Sequence, residues 1–176
     1  MGAVVASAPT VGSNSEIYDY KGVRFGLVDL GGQSSLRSAW SQYFADTAAI
    51  ILVIDSNDSA RLGLAKAELQ KLVKNEVSRG RRADAERSEA RREAFKASAD
   101  MATIRDAELK SALLLVLANK QDLPEQAGRL TPAQVSEGLG LTDLREREWQ
   151  IMGCSALTGD GLMEGMDWLV NKLTAK

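Results

Sequence analysis

The sequence of 176 residues contains no histidine. That absence removes His-dependent triads, His-ligated zinc and the commonest general base from its chemistry. One cysteine, Cys154, excludes an internal disulfide framework and fits a reducing compartment, so a cytoplasmic protein is expected. No apolar run approaches the ~20 residues of a membrane span or forms a secretory h-region with a cleavage site. Charges of the two signs nearly cancel, 22 basic against 24 acidic residues, so the net charge of −2 creates no field that demands nucleic acid or an anionic membrane. The opening Met1-Gly2-Ala3-Val4-Val5-Ala6 places Ala6 where a myristoylation signal wants Ser or Thr, and lipidation has no support there.

What is present reads as one domain over residues 1–176, long enough to bury a core. Its organising stretch is Asp29-Leu30-Gly31-Gly32-Gln33, which follows the alternating run Val23 to Val28 and precedes an expected helix from Ser34 to Phe44. A strand ending in a carboxylate, two glycines and an amide suits a backbone that approaches a phosphate closely and a Gln33 that orients a water. An ordinary strand-to-helix turn would also carry such residues. A second motif decides between these readings. The apolar run Leu113 to Ala118 leads directly into Asn119-Lys120-Gln121-Asp122. A buried strand ending in Asn-Lys-x-Asp is suited to reading guanine. An ionised Asp122 accepts two hydrogen bonds from the N1 and N2 side of the base, Asn119 ties the loop down or meets N7, and the Lys120 stem lies along the ring. Both motifs fall at carboxyl ends of strands, where open α/β sheets bind ligands.

In chain order, residues up to Ser15 read as an irregular loop, and Ile17-Tyr18-Asp19-Tyr20 and Val23 to Asp29 flank Lys21-Gly22 as a β-hairpin. Leu36, Trp40 and Tyr43/Phe44 form a helical stripe read as core packing. Ala48 to Ile54 is nearly continuous apolar sequence, expected as a strand covered on both faces. A helix begins at Ser59 with Leu62, Leu69, Leu72, Val73 and Val77 at helical spacing. From about 78 to 105 mixed charges dominate, so a charged helical or disordered insertion is expected, too poor in aromatics for a nucleic-acid surface. Thr131-Pro132-Ala133-Gln134 is a capping box stopped by Gly140, and Trp149 to Met152 is a short strand. Asp160 is expected to cap a last helix with Leu162, Met163, Met166, Leu169, Val170 and Leu173 on one apolar face. Strands alternating with helices argue for a mostly parallel sheet.

With these residues in hand, the chain resembles the ADP-ribosylation factor (Arf) and Arf-like family of small GTPases, from about Val4 to Leu173. The resemblance implies an α/β fold, a three-layer mostly parallel sheet with helices on both faces. It implies a GTP/GDP switch that uses Mg²⁺, protein effectors and exchange factors, a role in vesicle trafficking, and peripheral Golgi or endomembrane association. Pro9 to Asn14 is similar to the first switch loop, where the Thr10 hydroxyl ligates Mg²⁺. Asp29 to Gln33 is similar to the second, with the Gly32 amide on the γ-phosphate and Gln33 positioning the attacking water. Asn119, Lys120 and Asp122 match the guanine loop, and Ser155-Ala156-Leu157 matches the loop whose Ala156 N–H meets O6. Ser13, Val28 and Tyr43 stand where the family's effector surface stacks aromatics.

The sequence contains no Gly-x-x-x-x-Gly-Lys-[Ser/Thr] phosphate loop, and the resemblance begins after the family's first strand and first helix. About four charge-assisted hydrogen bonds would be lost with that loop, on the order of 6–12 kcal/mol. Each ~1.4 kcal/mol is tenfold in affinity. The expectation is therefore a chain truncated at its N-terminus, weak in nucleotide binding and inactive as a GTPase. The alternatives are a non-catalytic interaction module and an incomplete gene model of an active GTPase. The family's first strand would lie between the strands at Val23 to Asp29 and Ala48 to Ile54. Those two either close up or accept a substitute such as Ala3-Val4-Val5-Ala6.

Overall fold

The computed structural model describes residues 10–44, 47–79, 112–145 and 147–175, with the side chains of the long helix described as far as Leu72. The Ala3-Val4-Val5-Ala6 segment, the charged stretch beyond Arg79 and the side chains of Val73 and Val77 lie outside the described residues. The chain opens with a hairpin of β1 (Ser13–Tyr20) and β2 (Val23–Leu30), antiparallel, with Tyr20 opposite Val23. Lys21 and Gly22 both take positive φ, 49° and 79°, the conformation a two-residue hairpin turn needs to match strand twist. Pairing runs out to Ser13 opposite Leu30, so Ser13 to Ser15 belong to β1 and not to an irregular loop.

A 3-10 helix, Arg37–Tyr43, then replaces the expected helix from Ser34 to Phe44. It is shorter, because Ser34 and Ser35 are spent in the turn that follows Gln33, and none of its residues is fully buried. β3 (Ala49–Asp55), β4 (Leu113–Asn119) and β5 (Trp149–Gly153) form a parallel sheet with β4 central. Between them run a 3-10 turn at Ser59–Arg61, α1 (Leu62–Arg79) and α2 (Pro132–Leu139), and α3 (Leu162–Thr174) follows β5. Among the described residues β2 pairs with β1 alone and β3 with β4 alone, so the hairpin and the parallel sheet do not close on each other.

Helices cover both faces of β4, whose side chains sort by alternation. Leu114, Val116 and Ala118 pack with Leu69 of α1 and with Val135, Leu139 and Leu141 in and after α2. Leu113 and Leu115 pack on the other face against Leu169, Met166 and Leu173 of α3. β3 is packed on both faces as expected, Ile50, Leu52 and Ile54 against the first cluster and Ala49 and Ile51 against the second, but less deeply than β4. Only Ile54 is buried in it and Val53 is 57% exposed on a strand with one neighbour where β4 has two.

Two helix starts show local and tertiary control side by side. Thr131 accepts from the Gln134 N–H while the Gln134 side chain accepts from the Thr131 N–H, the reciprocal box the sequence spells out. Asp160, by contrast, is not the cap of α3. Gly161 holds that position at φ 74°, and a Cβ on it would stand 2.0 Å from the Gly153 carbonyl. Contact with the end of β5 therefore dictates glycine there, and the Asp160 carboxylate takes the Thr158 hydroxyl instead. On α3, Met163 is 46% exposed and stands off the expected apolar face.

Candidate functional site

The candidate site has two groups of residues, each rooted at strand ends. The first grows from β4 and β5. Asn119 ends β4, and its side-chain Oδ1 accepts from the backbone N–H of Lys120 at 2.8 Å and of Ala156 at 2.9 Å. Across the same gap the buried Ser155 hydroxyl donates to Asp122 Oδ1 at 2.6 Å and accepts from the N–H groups of Leu157 and Thr158. Two loops more than thirty residues apart are thereby joined by side-chain bonds, and the exposed Asp122 carboxylate is oriented by one of them. Backbone bonds from Gln121 N to Cys154 O and from Cys154 N to Ala118 O complete the connection. Burial pushes the Cys154 thiol above its ordinary range, so it stays neutral and unreactive beneath the loop.

Lys120 lies between these loops and the end of β3. It takes positive φ, 69°, and its ammonium contacts Asp55 Oδ2 at 2.6 Å. Sequence reasoning gave Asp55 no part in the site. In register it stands directly beside Asn119 across the β3–β4 pair, which is what brings its carboxylate to Lys120. Burial raises the Asp55 carboxyl, but the bonds from Lys120 and the Asn57 N–H, with the Lys120 and Arg61 charges, outweigh it and hold the group below the usual carboxylate range. Behind it, the wholly buried Ser56 accepts from the Gln121 amide at 2.9 Å, and Gln121 is in turn bonded to Arg129.

The second group surrounds the end of β2. The Thr10 hydroxyl donates to Asp29 Oδ2 at 3.0 Å. Gly31 is buried, its N–H bonds the Gly12 carbonyl, and a Cβ there would fall 2.4 Å from Thr10 O and 2.5 Å from Leu36. No other residue fits that approach. Gly32 and Gln33 are exposed beside it. The Gly31 carbonyl accepts from the Trp40 indole at 3.1 Å and the Gly32 carbonyl from Arg37 Nε at 3.0 Å, so the stripe read as core packing also holds the turn. Ser13 and Tyr43, two of the three positions expected on an effector surface, are hydrogen-bonded at 2.9 Å, and Val28 is 39% exposed.

Thr10 and Asp29 offer hard oxygen donors close together, a set that suits Mg²⁺, an ion that takes one or two protein oxygens beside phosphate oxygens and water. Asn119, Lys120, Asp122, Ser155 and Ala156 thus meet in one place, and Thr10, Gly32 and Gln33 in another. The Ala156 N–H assigned to the base donates to Asn119 in this structure.

An Asn-Lys-x-Asp loop after a central parallel strand and a Gly-Gly-Gln turn after the preceding hairpin are features of a guanine-nucleotide-binding type of α/β protein. The sequence model of the ADP-ribosylation factor family matches residues 1–86 and 82–173, and the chain belongs to that family. It is 39% identical over 173 residues to ADP-ribosylation factor 1 of Brassica rapa subsp. pekinensis, covering 98% of this chain and 76% of that one. It is 38% identical over 171 residues to ADP-ribosylation factor-like protein 1 of Saccharomyces cerevisiae, covering 97% and 75%. Its structure is similar to that of the Arl6 BBS3 small GTPase of Trypanosoma brucei with a bound GppNp. That likeness has a TM-score of 0.71 at 26% identity and covers 98% of this chain and 86% of the other.

Proposed function

We propose that this chain is a guanine-nucleotide-binding switch in which Asn119, Lys120, Asp122, Ser155 and Ala156 hold the base. Thr10, Gly32 and Gln33 respond to the γ-phosphate. The observation that carries this reading is the paired wiring of the two loops, Asn119 Oδ1 to the Ala156 N–H and Ser155 Oγ to Asp122. A pocket bonded in this way presents its acceptor and donors without ordering loops on binding. Asp122 accepts from the N1 and N2 side of guanine, and Ala156 N–H, shared with Asn119, faces O6. Mg²⁺, when bound, neutralises charge on the phosphates. Thr10 and Asp29 would hold it. Gln33, exposed at the turn, orients water toward the γ-phosphate, and the Gly32 N–H senses that group.

The 176 residues contain no Gly-x-x-x-x-Gly-Lys-[Ser/Thr] to grip the α- and β-phosphates, so this polypeptide by itself holds nucleotide weakly and hydrolyses it poorly. Its cellular role in this reading is that of its family, a switch in vesicle trafficking that engages protein effectors through Ser13, Val28 and Tyr43. Titration of fluorescent GDP and ADP into the purified chain with Mg²⁺ tests it. Guanine preferred over adenine at weak overall affinity is the expected result. Equal binding of the two bases would remove the base pocket from the proposal, and nanomolar GTP with ordinary turnover would refute the weak-grip part.

A further inference from the structure

The Gly-Gly-Gln turn carries an arrangement that the base and phosphate contacts do not require. Three consecutive peptide groups are each held by a separate bond. The Gly31 N–H donates to the Gly12 carbonyl, the Gly31 carbonyl accepts from the Trp40 indole at 3.1 Å, and the Gly32 carbonyl accepts from Arg37 Nε at 3.0 Å. In a trans peptide the N–H points opposite the carbonyl. Trp40 thereby fixes the direction of the Gly32 N–H, and Arg37 that of the Gln33 N–H. Glycine at 31 and 32 leaves these peptides free to rotate, so their orientation must come from such outside bonds.

Arg37 has a second partner. Its Nη1 reaches Glu68 Oε1 on α1 at 3.4 Å, and Lys71 Nζ lies 3.0 Å from the same oxygen. The Arg37 and Glu68 side chains are only 21% and 18% exposed, in a groove between the 3-10 helix and α1 lined also by Ser34, Trp40, Phe44 and Leu72. Such partial burial makes a charge-assisted pair more than a screened surface contact. The Lys71 bond, helped by Arg37, keeps Glu68 ionised.

We propose that Trp40 and Arg37 are positioning residues that aim the Gly32 and Gln33 N–H groups, and that the Arg37–Glu68 pair ties this aim to α1. Rotation of the turn on meeting a γ-phosphate must then be accommodated at α1, which gives the helix a nucleotide-dependent position. The α1 part of this inference rests on the proposed function; the aiming of the peptides does not.

The test uses the full chain. In ¹H–¹⁵N spectra without nucleotide, Trp40→Phe shifts the Gly32 amide and Arg37→Gln the Gln33 amide. The Leu114 and Val116 amides in β4 are unchanged. Glu68→Gln, which preserves shape, moves the Gln33 amide by less and serves if Arg37→Gln fails to fold. Undisturbed Gly32 and Gln33 amides would overturn the positioning, whether or not nucleotide binds. With Mg²⁺, Arg37→Gln lowers the GppNp-to-GDP affinity ratio about tenfold with GDP changed less than twofold. An equal loss of both would overturn the coupling. No binding of either nucleotide by the unsubstituted chain would overturn the proposed function and the link to α1 together, and the spectra would still decide the positioning.

Discussion

The two ends of the candidate site are built on unlike foundations. Leu113, Leu114, Leu115, Val116 and Ala118, which carry Asn119, are all 1% exposed or less, between helices on both faces of a parallel sheet. The hairpin that carries Asp29 to Gln33 has Ile17 at 62% exposure and Val28 at 39%, and is tied to the rest through side-chain bonds such as Ser13 to Tyr43 and Tyr20 and Lys21 to Asp167. Opening free energy follows buried apolar contact, so the base loops share the stability of the core while the hairpin can rearrange at small cost. For a switch this division is apt. Recognition of the base must be the same in both states, and the response to a phosphate must not be.

The sharpest way to break this comparison is at Asp122. Removing the carboxylate in Asp122→Ala forfeits two charge-assisted hydrogen bonds, about 3–6 kcal/mol of preference for guanine over adenine. Competition between fluorescent GDP and ADP should then show no preference, with the fold intact by circular dichroism. Next in size is Leu114→Ala, which opens a cavity in the core beneath the β4 strand that carries the loop and should lower unfolding free energy by about 2–5 kcal/mol in urea denaturation. The matched change in the hairpin, Ile17→Ala, touches an exposed side chain and should move stability by less than about 0.5 kcal/mol. Comparable losses at the two positions would erase the asymmetry. Within the helical layer, Thr131→Ala removes the hydroxyl that accepts from the Gln134 N–H, one arm of the capping box, for about 1 kcal/mol.

How legible these features are in the sequence follows from the range of the interactions that set them. The capping box at Thr131 and Gln134 lies within one turn of helix, and the β4 run into Asn119 is a continuous apolar string; both are readable without a partner. The choice between Asp160 and Gly161 as the start of α3 is not, because the deciding contact is with Gly153 O, and local preference for an acidic cap points to the wrong residue. Asp55 is hidden in another way. Its role depends on lying opposite Asn119 in a register between strands about sixty residues apart, and no spacing announces that. Trp40 belongs to an amphipathic stripe, and amphipathicity reports where its ring packs but not that its N–H reaches the Gly31 carbonyl.

The smallest effect concerns how the hairpin is tethered at its far end, where Tyr20 Oη donates to Asp167 Oδ1 at 2.8 Å and the Lys21 ammonium lies 2.5 Å from the same oxygen. The Lys21 bond and then the Tyr20 bond hold the Asp167 carboxyl below its ordinary value, while Asp167 raises both the Lys21 ammonium and the Tyr20 phenol. A depressed carboxyl stabilises docking above its unfolded pKa and loses that contribution as pH falls through the folded one. A raised ammonium or phenol does the opposite, contributing fully below its unfolded pKa and losing it as pH rises through the folded value. Docking of the turn on α3 should therefore be level between about pH 5 and 9 and weaken on both sides. The Gly22 amide resonance followed against pH reads this directly, with Asp167→Asn removing the acid limb and blunting the alkaline one. An acid limb that survives Asp167→Asn would assign the tether to another group, and the hairpin would then be held more broadly than the contrast with β4 allows.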